Sequence, residues 1–130
     1  MSSPLNEYKR FIDDLVKIRT SILARQVMDE GLPALPVNKE INQLLSQLSL
    51  EQRETLAKII QKERDGGIHD TLAYMSDAIN LNGLRLSRNG TEIAIEPYGT
   101  EMYYDWVCRY MGDEWPEHQL KEQYRSNSKE

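Results

Sequence analysis

Residues 4–28, PLNEYKRFIDDLVKIRTSILARQVM, decide the fold class. Placed at steps of about 100° per residue, the apolar side chains gather on one half of a helix. That half holds Leu5, Tyr8, Phe11, Ile12, Leu15, Val16, Ile18, Ile22, Leu23 and Val27. The other half holds Asn6, Glu7, Arg10, Asp13, Asp14, Lys17, Ser21 and Arg25. The pattern predicts one long amphipathic helix from Pro4 to Met28, followed by a stop at Gly31. Arg19 and Gln26 interrupt the apolar face. A buried Arg19 needs an acid partner, and the carboxylates near the C-terminus are the candidates. Alternatively the face opens there and Arg19 reaches solvent along its stem.

Working outward, LPALPV is an extended connector set by Pro33 and Pro36. Asn38 can cap a short helix bearing Ile41, Leu44, Leu45 and Leu48. Ser49 and Gln52 form a capping-box pattern that opens a third helix to about Arg64, with Gly66 and Gly67 as its stop. A fourth helix opens at His69 or Asp70 and ends near Asn82-Gly83. In GLRLSRNGTEIAIEP, residues 83–97, Asn89-Gly90 marks a two-residue hairpin turn. Folding there pairs Leu86 with Ile93 and Leu84 with Ile95, so a hairpin is expected over about 84–95. Thr100 caps a fifth helix, 101–111, that Gly112 ends. Residues 118–123 could form a last short helix, and 124–130 should fray. The expected fold is mainly α: a helical bundle with a long N-terminal helix and one β-hairpin, in a single domain over 1–130.

The charge is unevenly placed. Residues 92–117 hold seven acids against one base, Arg109, whereas the whole chain carries a net charge of −5. Six of the ten aromatic residues lie within 98–117. This acidic segment disfavours general binding to phosphate backbones. No apolar run approaches the roughly 20 residues of a membrane span. The single cysteine, Cys108, excludes an internal disulfide and suits a reducing, cytoplasmic setting.

On the fifth helix Tyr103, Trp106, Val107, Tyr110 and Met111 share a core-like side, while Glu101, Asp105 and Arg109 share the other. Asp105 and Arg109 stand four apart and can pair. Tyr104 and Trp115 are the better candidates for exposure. Trp115 between acids and Pro116 is either an interaction anchor or a lid on the core. The candidate protein-binding residues are therefore Tyr104, Asp105, Asp113, Glu114 and Trp115.

Other chemistry finds little support. Cys108 has only His69 and His118 as bases to activate it. His69-Asp70 lacks further ligands for a dedicated metal site. Gly66-Gly67 lacks the lysine and hydroxyl of a phosphate loop. No cofactor site is expected. The order of helices and hairpin over 38–95 is that of a winged helix, yet the would-be recognition helix, 70–82, has no Lys or Arg.

GGIHDTLAYM, LRLSRNGTEIAIEPYGTEM and YDWVCRYMGDEWPE resemble a family of small, uncharacterised bacterial proteins, over most of residues 30–117. The resemblance implies a bacterial, cytoplasmic protein and brings no assigned activity, cofactor or partner. The leading functional expectation is a non-enzymatic protein-binding module with an acidic, aromatic surface and a basic protein partner. Immunity- or antitoxin-like neutralisation is one subclass. A small enzyme with a pocket between hairpin and fifth helix is the first alternative, and a winged-helix DNA binder the second. Exposed residues on the wide apolar face of the first helix offer a route to a homo-oligomer, although core packing is the simpler use of that face.

Overall fold

A computed structural model describes residues 2–119. The expected frayed tail, 124–130, and most of the expected last helix lie outside the described residues. The structure is mainly α with one two-stranded hairpin. In chain order the elements are α1 (Pro4–Lys17), α2 (Ile22–Met28), a 3-10 turn (Pro36–Asn38), α3 (Lys39–Ser46) and α4 (Leu50–Leu81). Strands β1 (Ser87–Arg88) and β2 (Thr91–Glu92) and helix α5 (Met102–Tyr110) follow. The chain divides into two compact units: Arg19–Gly67, and residues 1–18 together with 68–130.

The long N-terminal helix expected over 4–28 is two helices. Ser3 caps α1, accepting from the Asn6 amide at 3.1 Å, and Pro4 begins it. The first helix ends at Lys17. Ser21 then starts α2, its hydroxyl accepting from the Ala24 amide at 3.1 Å. Side chains from α4 stabilise the break. Gln61 accepts from the Ser21 amide at 2.8 Å and donates to the Arg19 carbonyl at 3.0 Å. Arg64 Nε donates to the same carbonyl at 3.0 Å. These bonds satisfy backbone groups that the interrupted helix leaves open.

Arg19 finds its acid, but not near the C-terminus. Its guanidinium donates to Asp65 Oδ2 at 2.7 Å, and Gln61 holds the other Asp65 oxygen at 2.9 Å. The core of this 19–67 unit is Ala24, Val27, Leu45 and Ala57. Asn42 braces the connector: its amide accepts from Leu32 N–H at 2.8 Å and donates to Leu32 C=O at 3.0 Å.

The capping box forms as read. Ser49 Oγ accepts from the Gln52 amide at 3.1 Å, and Gln52 Oε1 accepts from the Ser49 amide at 2.9 Å. The expected stop at Gly66-Gly67 does not occur. Helix α4 runs through both glycines for 32 residues, and neither takes the positive φ that a glycine stop uses. The real terminator is Gly83, at φ +76. The turn that a winged helix needs between its second and third helices is therefore missing, and 70–82 is mostly the end of α4.

In the other unit, Tyr8, Ile12, Leu72, Ile79, Ile93, Ala94, Met102 and Trp106 form the core. Asn89 (φ 51) and Gly90 (φ 81) make the hairpin turn, with Ser87 opposite Glu92 and Arg88 opposite Thr91. That is the expected register, and Ile93 N–H still reaches Leu86 C=O at 2.9 Å. The regular ladder is shorter than 84–95 because other partners take the flanking groups. Ala94 N–H donates to Pro4 C=O at 3.0 Å. Arg85 folds back on the carbonyls of Ile79 and Leu84.

Candidate functional site

A cavity of about 250 Å³ lies between α5 and the segments on either side of it. All five candidate residues line it: Tyr104, Asp105, Asp113, Glu114 and Trp115, with Tyr98, Thr100, Cys108 and Arg109 beside them. Their convergence has a local cause. Gly112, at φ +99, turns the chain back after α5, so that residues 113–116 return to the same helix. A larger, shallower depression in the 19–67 unit is lined by Leu35, Pro36, Lys39, Asn42 and neighbours, without carboxylate or aromatic groups.

The five residues do not play equal parts. Tyr104 is 54% exposed, and Asp113 and Glu114 are exposed. Trp115 is half-buried. Its ring lies against Tyr98, with centroids 5.6 Å apart, and edge-on to Tyr8 at 6.0 Å. Its indole N–H donates to Asp13 Oδ2 at 3.1 Å, and the Arg109 guanidinium sits 4.9 Å from its ring centre. The indole is thus fixed as a partial lid with one part left open.

Asp105 is 6% exposed and turns inward. Tyr8 OH donates to its Oδ2, and Thr100 Oγ1 donates to Oδ1 at 2.5 Å. Burial raises its pKa above the ordinary carboxylate value; the two hydroxyls oppose that shift, and Glu96 adds to it. Burial, followed by the neighbouring Asp105, likewise raises the Tyr8 pKa. The expected Asp105–Arg109 pair is replaced by bonds to α1. Arg109 forks onto Asp13, with Nε to Oδ1 at 2.8 Å and a terminal nitrogen to Oδ2 at 3.2 Å. Its remaining nitrogen donates to the Asp113 carbonyl at 2.8 Å and fixes the returning loop. Thr100 accordingly serves Asp105 rather than the helix N-terminus, where Glu101 takes the cap position without a side-chain bond.

Asp13 is the residue that sequence reasoning missed. On the polar half of α1 it reads as solvated. One of its carboxylate oxygens receives both Arg109 and Trp115, which no local spacing announces.

Around the other candidates the chemistry is modest. Cys108 is a half-buried free thiol, and a hydrogen bond to it raises the Tyr104 hydroxyl pKa. His69 lies 3.4 Å from Asp70 and packs on Tyr103, with ring centres 4.6 Å apart. Among the described residues no group of three or more His, Cys, Asp or Glu could hold a metal ion. Arg88, placed where a DNA-contacting wing would reach phosphate, faces Glu7 at 3.6 Å and Asp14 at 3.8 Å instead.

The model of one protein family, described as a family of unknown function (DUF6547), matches residues 1–117. The chain belongs to the DUF6547 family. The DUF6547 match takes in the whole cavity and its Asp13 support. No curated protein and no solved structure matches. Among the described residues of this DUF6547 chain, no helix is long and apolar enough to cross a membrane.

Proposed function

We propose that this protein is a non-enzymatic protein-binding module whose contact surface is the rim of the 98–116 cavity. The observation that carries the reading is the convergence of exposed Tyr104, Asp113 and Glu114 with the open part of Trp115 around one concavity. Aromatic side chains there offer large contact area with few torsions to freeze. The carboxylates steer a basic partner and weaken with salt. Asp105 supports this surface from beneath and makes no contact with the partner.

The partner class is a basic protein, and neutralisation of a basic toxin or nuclease, immunity- or antitoxin-like, is the subclass that suits it. The lone cysteine and the family resemblance support a bacterial, cytoplasmic setting. The test is capture from the source cell's lysate by immobilised protein, at low and moderate salt. Wild type should retain one stoichiometric partner, and the Tyr104→Ala and Asp113→Asn/Glu114→Gln variants should lose it. Equal capture by the variants would refute the reading.

A small enzyme is the second reading. A buried carboxylate with a raised pKa shares the cavity with a thiol, and perturbed titratable groups gather at functional sites. Both Asp105 oxygens already accept hydroxyl hydrogen bonds, which favours a structural carboxylate. Covalent trapping of Cys108 by small electrophiles, faster than for a free thiol, would restore the enzyme reading.

A further inference from the structure

We infer that Asp13, a residue of α1 outside the cavity lining, is the positioning residue of the binding rim, an inference that rests on the protein-binding reading above. It acts through Arg109 and Trp115 rather than by touching the partner. Two tie points hold the loop that follows α5, and both end on this one carboxylate. At Asp113 the backbone carbonyl accepts from Arg109 at 2.8 Å, and Arg109 in turn forks onto Asp13 at 2.8 and 3.2 Å. At Trp115 the indole N–H donates to Asp13 Oδ2 at 3.1 Å. The exposed residues Asp113 and Glu114 lie between the two points. Gly112, at φ +99, lets the chain turn there but does not by itself choose where the turn comes to rest. A loop fixed before binding has less freedom to lose when a partner docks.

Asp13 also decides where one positive charge goes. Arg109 lines the same cavity as Asp113 and Glu114. Its forked bond to Asp13 is charge-assisted and partly buried, a stronger arrangement than an exposed ion pair at the rim. The Arg109 charge is thus answered on the α1 side, and the rim keeps its negative field. Without Asp13 the guanidinium loses both forked bonds, while the rim carboxylates share its cavity. The rim then loses shape and charge together.

The test variant is Asp13→Ala, since alanine suits a helix interior. The first readout is heteronuclear NMR relaxation of the protein without partner. Order parameters at the 113–115 amides should fall from about 0.85 to below about 0.6, and the Trp115 indole signal should move. The amides of α5 and the indole of buried Trp106 should stay as they are. A Trp115→Phe spectrum assigns the two indoles. The second readout is calorimetric titration with the protein that wild type captures from lysate. Asp13→Ala should bind it roughly tenfold more weakly, as expected when a pre-ordered loop must be ordered on binding. Adding Arg109→Met removes the released cation and should regain part of that affinity; no regain would overturn the charge half of the inference. Unchanged order at 113–115, a loss of order spread equally over α5 and Trp106, or unchanged affinity would overturn the positioning role. If one of these occurs while capture still depends on Tyr104, the protein-binding reading stands and only the role of Asp13 falls. If wild type captures nothing, both fall.

Discussion

Tyr8 donates its hydroxyl hydrogen to the Asp105 carboxylate across 97 positions of sequence, joining α1 to α5 within one core. Neither group is reachable by solvent to any useful degree, so each depends on the other. Tyr8→Phe should leave Asp105 Oδ2 without its donor and destabilise the protein by about 1–3 kcal/mol. Urea unfolding measures this directly. A change below a few tenths of a kcal/mol would show that water replaces the hydroxyl.

Asp105 also sets a pH dependence. Its folded-state pKa is raised from the ordinary 3.8, chiefly by burial. The folded state therefore binds the proton more tightly than the unfolded chain does. Its contribution to stability is most favourable at low pH and declines as pH rises from 3.8 through the raised folded value. Asp105→Asn removes that titration. The stability of wild type relative to Asp105→Asn should fall between pH 4 and 7, as the carboxyl ionises in both states. A constant difference across that range would contradict a raised pKa.

Gly66 and Gly67 sit inside α4 without the backbone conformation that requires glycine, and an added methyl meets nothing within 4 Å at either. Gly66→Ala and Gly67→Ala should each stabilise by about 0.5–1 kcal/mol. Gly83, at φ +76, is the opposite case, and Gly83→Ala should destabilise by about 1 kcal/mol. Thermal melts of the three variants check the contrast.

Arg19 and Asp65 form a partly covered pair at 2.7 Å, with Gln61 on the second carboxylate oxygen. Arg19→Met leaves Asp65 without its cation and should cost about 1–2 kcal/mol. A double-mutant cycle with Asp65→Asn isolates the pair, and a coupling energy near zero would show that solvent carries the charge.

The features legible in the sequence are those settled by neighbours in the chain. The Asn89-Gly90 turn fixes the hairpin register, and Ser49 with Gln52 opens α4. The features that were not legible depend on distant side chains. The apolar stripe of 4–28 continues past Ser21, so periodicity alone extends the helix. The break is satisfied by Gln61, 40 positions away from Ser21. Gly66-Gly67 reads as a stop, although a helix tolerates glycine at modest cost when both ends are well formed. The aromatic-acidic residues Tyr104, Asp105, Asp113, Glu114 and Trp115 line one cavity, but their hydrogen-bond partners are not legible from the segment itself. Asp105 turns to Tyr8 and Arg109 to Asp13, so spacing four apart on α5 did not make them partners. Trp115 depends on Asp13, 102 positions earlier.

That dependence changes which substitution is informative. Trp115→Ala removes the Asp13 bond, the Tyr98 contact and the Arg109 contact together. It should lower the melting temperature as well as binding, through the loss of partly buried aromatic packing, about 1–3 kcal/mol. Differential scanning calorimetry of this variant measures the cost. An unchanged melting temperature would mean that the indole is an ornament of the surface and not a lid.

Tyr104, Asp113 and Glu114 are exposed and can be changed without disturbing that lid. Calorimetric titration of the partner captured from lysate into wild type and into the Tyr104→Ala/Asp113→Asn/Glu114→Gln variant separates binding from folding. Binding should be weakened on the order of a hundredfold, as for loss of a small hot-spot cluster, with the melting temperature unchanged. Equal affinity in the well-folded variant, or no saturable partner for wild type, would contradict a binding role for this cavity.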